Sequence, residues 1–406
     1  MPLLSGRMPA PRSVSHALIG VLAASALLVG CTSAQPEPEQ PAPPGPSLVA
    51  GTAPVPAAPA PVVPAAPVCG DPAAAVAAMS TRDKLAQLLM VGVTGAADAR
   101  TAAAEYHVGG IMVGSWTDLS MLTDGSLPDI ANAGLLPLAV SVDEEGGRVS
   151  RLSGLIGPQP SARVLAQTKT PDEVRAIARD RGAKMRNLGI TVDFAPVVDV
   201  SDAPDNTVIG DRSFGADPTT VTDYAGAYAQ GLREAGVLPV LKHFPGHGSG
   251  SGDSHVGSVV APSLEQLQAS DLVPYRTLAA QAPVGVMVGH VEVPGLTGSD
   301  PASLSPQAYG LLRSGGYGGP PFGGVVFTDD LSGMQAISDR LGVAEAVLRA
   351  LQAGADVALW LSTGEVPAVL DRLEKAVGAG ELTMSGVDGA VTRIVAMKGP
   401  SPRCGG

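Results

Sequence analysis

The chain has 406 residues, with few charged side chains (16%), few aromatics (3%) and a formal net charge of −12. That length can bury a large core, so one big α/β domain or two smaller ones are both open. The acidic balance and the lack of a basic stripe exclude nucleic acid as a partner.

Arg7 and Arg12 give a basic start, and Ala17 to Gly30 is apolar. This run is short of the roughly 20 residues a membrane-spanning helix needs. It ends Leu28-Val29-Gly30-Cys31, which resembles a bacterial lipoprotein box whose cysteine is acylated and becomes the new N-terminus. Residues 1–30 are therefore expected to be a lipoprotein signal peptide. Acyl chains on Cys31 would hold the protein at the outer face of the cytoplasmic membrane, in the cell envelope. An ordinary cleaved signal with an incidental cysteine is the alternative. Residues 32–68 carry twelve prolines and show no hydrophobic period, so 31–68 reads as a polyproline-II-like tether of up to roughly 100 Å. Cys69 and Cys404 then stand at the two ends of a globular region, 69–406. In an oxidising exterior they can pair if a closed fold makes the ends neighbours; two free thiols are the alternative.

From about residue 84 one theme repeats: a short apolar run, a polar or Gly/Pro loop, then Ala-rich helical text. The strand candidates are 86–93, 109–114, 136–142, 190–199, 237–242, 284–289, 323–328 and 356–361. They are continuous apolar runs without alternation, as expected for parallel strands buried on both faces. Helical text fills 167–187, 217–235, 263–281, 342–353 and 364–378; Thr170-Pro171-Asp172-Glu173 supplies a cap, a proline at N1 and early acids. Eight strands separated by helices predict an α/β fold, a single (β/α)8 TIM-like barrel, against an open doubly wound sheet. Polar residues favour closure because they follow many different strands: Asp143-Glu144-Glu145, Asp199, Lys242-His243, His290 and Glu292, and Asp329-Asp330. A barrel gathers all of them at one pocket, whereas an open sheet concentrates function at a switch point.

Residues 242–255 read Lys-His-Phe-Pro-Gly-His-Gly-Ser-Gly-Ser-Gly-Asp-Ser-His and contain three of the six histidines. A zinc site from His243, His247, Asp253 and His255 is disfavoured, because Phe244-Pro245-Gly246 prevents a helix from presenting both leading rings on one face. Glycines 246, 248, 250 and 252 suggest a mobile loop rather than a rigid ligand cage. A phosphate cradle is also disfavoured, since no Gly-Lys-Ser/Thr follows the glycines. Neither metal nor cofactor is expected. Glycoside chemistry fits better: displacement with retention needs a carboxylate nucleophile and a proton donor to the leaving oxygen. Asp329 at a strand end suits the first role. A histidine beside an aspartate can fill the second, and Asp253-Ser254-His255 offers that pair. A solvated loop is the competing reading of Asp253 and His255.

These motifs, together with Phe327-Thr328-Asp329-Asp330-Leu331, resemble glycoside hydrolase family 3, in particular its β-N-acetylglucosaminidase branch. Asp143-Glu144-Glu145-Gly146-Gly147-Arg148, Phe194-Ala195-Pro196-Val197-Val198-Asp199, Ile209-Gly210-Asp211-Arg212-Ser213-Phe214 and Pro301-Ala302-Ser303-Leu304-Ser305 agree with that branch. The similarity covers roughly 80–398, and the chain resembles actinobacterial surface lipoproteins of the family. The resemblance implies that Asp329 is the nucleophile and that His255, oriented by Asp253, is the acid/base on a loop that closes over substrate. It implies that Asp143, Arg212, Lys242 and His243 hold the sugar, with Arg151 a weaker candidate. A structural ion pair of Lys242 and Arg212 with Asp143 or Asp199 competes with that sugar-binding role and can coexist with it; Asp330 and Glu145 read as supporting residues. The family's loop commonly carries Asp-Thr after His-Gly, where this chain has Ser249-Gly250. The implied function is exo-acting removal of terminal β-linked N-acetylglucosamine from peptidoglycan fragments by a monomer. Phosphate resolving the same intermediate, a non-catalytic sugar-binding lipoprotein and a metallohydrolase are the alternatives.

Overall fold

The computed structural model describes Cys69, residues 71–400 and Cys404. The expected leader, Cys31 and the proline-rich tether lie outside the described residues. Eight parallel strands close a barrel: β1 (Leu89–Val93), β2 (Gly110–Val113), β3 (Ala139–Val142), β4 (Val192–Asp193), β5 (Leu238–Phe244), β6 (Gly285–Val288), β7 (Val326–Asp330) and β8 (Val357–Trp360). They pair in chain order, and β1 closes on β8 through Leu89 opposite Ala358 and Met90 opposite Leu359. Nearly every strand residue is buried, which explains the unbroken apolar runs. Phe194 and Phe327 meet edge to face inside the barrel with centroids 5.5 Å apart.

Local sequence starts the surrounding helices. Thr170 and Glu173 form a reciprocal capping box ahead of helix Pro171–Asn187, with Pro171 in its first turn. Helix Pro218–Glu234 packs beside it at close range. A Cβ on Gly231 would stand 2.4 Å from the Arg175 carbonyl oxygen, so only glycine permits that approach. At the N-terminal end of β8 the buried Asp356 carboxylate accepts from Arg313 at 2.6 Å, Val326 N at 2.8 Å and Arg393 at 2.7 Å. That end of a barrel serves stability, and Asp356 is paired there with two arginines.

Several expected elements come out shorter. The 86–93 run begins as helix, because Ser80 caps Thr81–Gln87 and β1 starts only at Leu89. The 190–199 run pairs regularly only at Val192–Asp193, with one further bridge from Val197 to Lys242. The 263–281 text is two helices, Leu264–Ala269 and Leu272–Leu278. They break at Ser270 because Asp271 turns inward to bond Val200 N and Gly248 N, both at 3.3 Å. Beyond the expected elements are a terminal helix, Met384–Lys398, and a two-stranded parallel pair of Val259–Val260 with Val291–Glu292. The sulfurs of Cys69 and Cys404 are bonded, with Cα atoms 5.5 Å apart across 335 positions of sequence.

Candidate active site

Each barrel strand from β3 to β7 ends in, or runs directly into, a polar side chain at the C-terminal mouth. β5 places Lys242, 2% exposed, between two acids that follow β3. Its Nζ lies 2.5 Å from Asp143 Oδ1 and 2.6 Å from Glu145 Oε1. Glu145 also takes Arg212 in a fork, with Nε to Oε2 and Nη2 to Oε1 both 2.8 Å. Arg212 comes from the short 3-10 turn Gly210–Arg212 in the loop after β4. Burial alone would push the Glu145 carboxyl up, but Arg212 and Lys242 outweigh it and hold it far below the usual carboxylate range. Burial would likewise pull Lys242 down, and Asp143 and Glu145 reverse that. The result is a planar donor fork and an ammonium, both permanently charged and locked in place.

His243 is held from the other side. Its Nδ1 is 2.7 Å from Asp199 Oδ2, and its Nε2 faces Arg212 Nη2 at 3.5 Å. Asp199 Oδ1 accepts from the main-chain N–H groups of His243 at 3.3 Å and His247 at 2.8 Å. Asp199 therefore holds His243 by ring and amide and His247 by its amide.

Asp329 is the partly exposed residue in an otherwise buried β7. Its Oδ1 accepts from Asp330 N at 2.9 Å. Burial favours the neutral acid, but the His243 ring foremost, then His290, the Asp330 amide and Lys242 hold the carboxyl below its usual value. It is therefore a carboxylate at any ordinary pH. Asp330 points away and caps the next turn through Ser332 N and Gly333 N, both 2.8 Å. His290 bridges Ser303 Oγ at 2.6 Å and the Asp330 carbonyl at 2.7 Å. A carbonyl only accepts, so Nε2 carries the proton and Nδ1 accepts from the hydroxyl. His290 thus ties the segment around Ser303 to β7.

The Asp253–His255 pair sits on the loop after β5. Asp253 Oδ1 accepts from His255 N at 2.9 Å and meets His255 Nδ1 at 2.7 Å. The side chains are 41% and 53% exposed, while Ser254 between them is buried. Ser254 anchors the loop: its carbonyl accepts from Ala336 N at 3.2 Å, and its hydroxyl faces Met334 Sδ at 3.7 Å. The pair is thereby fastened to the turn that leaves Asp329. The glycines of this loop are not simply flexible. A Cβ on Gly246 would sit 2.4 Å from Asp271 Cβ and one on Gly248 2.1 Å from the Val200 oxygen, so both are demanded by packing. At Gly252 the nearest atom would be 4.0 Å away, so that position is open.

Arg151 differs from the other sugar-holding candidates. Its guanidinium has no ion pair or hydrogen bond among the described residues, and only its amide is engaged, donating to Glu144 Oε2 at 2.8 Å. The expected pairing of Lys242 with Asp143 is present. Arg212 pairs with Glu145 instead of Asp143 or Asp199, and Asp199 belongs to the histidines. Sequence reasoning undervalued Glu145, the shared partner of both cations. It also passed over fully buried Glu144, which takes Ser150 Oγ at 2.5 Å, Leu152 N at 2.7 Å and Arg181 and so shapes the loop after β3. The acidic triplet after β3 carried that signal, but nothing in it tells which acid faces the pocket. Among the described residues no group of three or more His, Cys, Asp or Glu side chains is arranged to hold a metal ion.

A closed parallel barrel whose C-terminal mouth gathers a lone carboxylate, a His–Asp pair and a fixed set of cations has the groups needed for acetal cleavage. Residues 80–397 match the family described as Glycosyl hydrolase family 3 N terminal domain. The chain belongs to that family and is a glycoside hydrolase. It is 71% identical over 338 residues to Beta-hexosaminidase LpqI of Mycobacterium tuberculosis (strain ATCC 25618 / H37Rv), covering 82% of this chain and 87% of that protein. It superposes on the solved M tuberculosis LpqI with a TM-score of 0.83 at 69% identity, covering 84% of this chain and all of the other. A solved GH3 glycosyl hydrolase from Mycobacterium smegmatis str. MC2 155 gives a TM-score of 0.80 at 73% identity, covering 80% of this chain and 99% of that one.

Proposed function

We propose that the protein is a retaining exo-β-N-acetylhexosaminidase. The observation that carries this is the attachment of the Asp253–His255 loop, through Ser254, to the turn that follows Asp329. It links a proton carrier to a carboxylate, the two groups that retention requires. Asp330 N engages one Asp329 oxygen, leaving the other to attack the anomeric carbon. As the glycosidic bond breaks, His255 Nε2–H protonates the departing oxygen, and the Asp253 carboxylate stabilises the ring through Nδ1. Water then enters. His255, now neutral, takes one proton from it while the oxygen attacks the same carbon and releases Asp329. Proton and charge are back where they began after one cycle.

Lys242, Arg212, His243 and Asp143 hold the sugar's hydroxyls and acetamido group, and Arg151, with an uncommitted guanidinium, extends that set. The substrate is a terminal β-linked N-acetylglucosamine on a peptidoglycan fragment. The name of the mycobacterial relative and its 71% identity support the hexosaminide part of this reading. All assigned residues come from one barrel, so a monomer suffices. The acylated Cys31 holds the enzyme at the outer face of the cytoplasmic membrane; a Cys31→Ala chain that stays in the membrane fraction would contradict this anchor.

The decisive experiment traps the intermediate with a fluorinated N-acetylglucosaminide and maps the labelled peptide by mass spectrometry. The sugar is expected on the peptide carrying Asp329, and Asp329→Ala is expected neither to label nor to hydrolyse an aryl β-N-acetylglucosaminide. Label on another residue, or equal hydrolysis by Asp329→Ala, removes the assignment.

A further inference from the structure

His247 has no part in the reaction just described, and its surroundings are unusual. The ring is 4% exposed, and neither Nδ1 nor Nε2 has a hydrogen-bond partner among the described residues. Unpaired nitrogens in a buried site are unfavourable and call for an explanation. The residue is also pinned at its main chain. Its amide donates to Asp199 Oδ1 at 2.8 Å, its carbonyl accepts from Gly250 N at 3.0 Å, and its face tilts against His243 with centroids 5.9 Å apart. The tightly packed Gly246 and Gly248 prevent the main chain on either side from shifting. His247 is thus a rigid polar post at the root of the loop that carries Asp253 and His255.

Asp253 offers the complementary group. Both contacts from His255 fall on Oδ1, so Oδ2 has capacity to spare. Burial would raise the Asp253 carboxyl, but its contacts with His255, with a further contribution from the His247 ring, outweigh burial and hold it below its usual value.

We propose that His247 is the seat of the catalytic loop. In the reacting form a ring N–H of His247 donates to Asp253 Oδ2, joining His247, Asp253 and His255 in one hydrogen-bonded chain that aims the His255 ring at the leaving oxygen. This rests on His255 being the acid/base. His247 touches no substrate; it is a positioning residue that acts through Asp253.

The test compares wild type, His247→Phe, His247→Asn, His247→Gln and His255→Ala on two N-acetylglucosaminides. One carries an activated aryl leaving group, which needs little protonation, and the other an alkyl leaving group, which needs much. General acid assistance contributes about 10²–10⁴-fold. His247→Phe is therefore expected to lower kcat/KM for the alkyl glycoside at least about tenfold more than for the aryl glycoside. The Asn and Gln amide nitrogens stand near the Nδ1 and Nε2 positions, and one of these variants is expected to recover most of that difference. Equal losses on both substrates, no loss on either, or failure of both amides to recover the difference overturns the proposal. If His247→Phe does not fold, His247→Leu takes its place under the same criteria. His255→Ala separates the two levels of the argument. If it shows the leaving-group preference while the His247 variants do not, the seat is wrong. If it shows none, the acid/base reading itself is wrong.

Discussion

Arg212 and Glu145 are joined by two parallel hydrogen bonds of 2.8 Å each, in a site where Glu145 also carries the buried Lys242 ammonium. Glu145 therefore serves both cations, and Asp143 shares Lys242 with it at 2.5 Å. Removing one partner of a buried pair leaves charge uncompensated and costs about 3–5 kcal/mol. Glu145→Ala is expected to lose about that much stability in urea denaturation, together with most of its kcat/KM. Glu145→Gln, which keeps the shape, should lose less. A fully stable Glu145→Ala would mean that the two cations do not depend on it.

Asp253→Asn should show the opposite profile. The Asp253–His255 pair is about half exposed, and such pairs contribute roughly 0–1 kcal/mol to stability. The amide cannot stabilise an imidazolium as a carboxylate does, so turnover of an alkyl glycoside should fall by about 10²–10⁴-fold. Melting temperature and steady-state rate measured on the same preparation check the contrast. A variant that melts well below wild type but retains its specific activity would contradict it.

Asp271 gives a pH-dependent outcome. Burial foremost, with the charge of Asp199, raises its carboxyl from an ordinary 3.8 to about 6. The folded value lies above the unfolded one, so this group's favourable contribution is complete below about 3.8 and is lost as pH rises through about 6. Ser270 Oγ donates to the second Asp271 oxygen at 2.6 Å; Asp271→Asn keeps an oxygen for Val200 N and Gly248 N and turns an N–H toward Ser270 Oγ, without the buried charge. Relative to wild type it should gain on the order of 2–3 kcal/mol at pH 8 and little at pH 4. Thermal melts at both pH values decide it; an equal shift at both would remove the titration argument.

Two alanine substitutions test the catalytic loop. At Gly248 a Cβ would meet the Val200 carbonyl at 2.1 Å, whereas at Gly252 the nearest atom would be 4.0 Å away. Gly248→Ala should push the loop root out of place and lower kcat/KM more than about tenfold, in line with the sensitivity of catalysis to small misplacements. Gly252→Ala should leave kcat/KM within about twofold. Equal effects would show that the loop root tolerates displacement.

The sequence exposed the barrel because strands buried on both faces read as solid apolar runs, and because the polar interruptions all follow such runs. Asp329 stood out because two acids interrupt the apolar run of β7, and Asp253 and His255 because they stand two positions apart in a glycine-rich segment. Partnership was harder to read. The triplet Asp143-Glu144-Glu145 places three acids in a row, and only the path of the chain after β3 sends Glu145 to Arg212 and Lys242 and Glu144 to Arg181. The break at Ser270 was hidden for the same reason: the helical text of 263–281 is locally sound, and the interruption comes from Asp271 reaching residues 71 and 23 positions away. The glycines of 246–252 suggested mobility by composition, yet two of them are required by a carbonyl and a carboxylate brought close only in the folded chain.

The bond between Cys69 and Cys404 makes the whole catalytic body a covalent ring. A single proteolytic cut at any exposed turn inside that ring leaves both pieces attached to one another and to whatever lies upstream of Cys69. A nicked enzyme would keep its mass on a non-reducing gel and separate into fragments only after thiol treatment, so one cut need not divide the barrel from the rest of the chain.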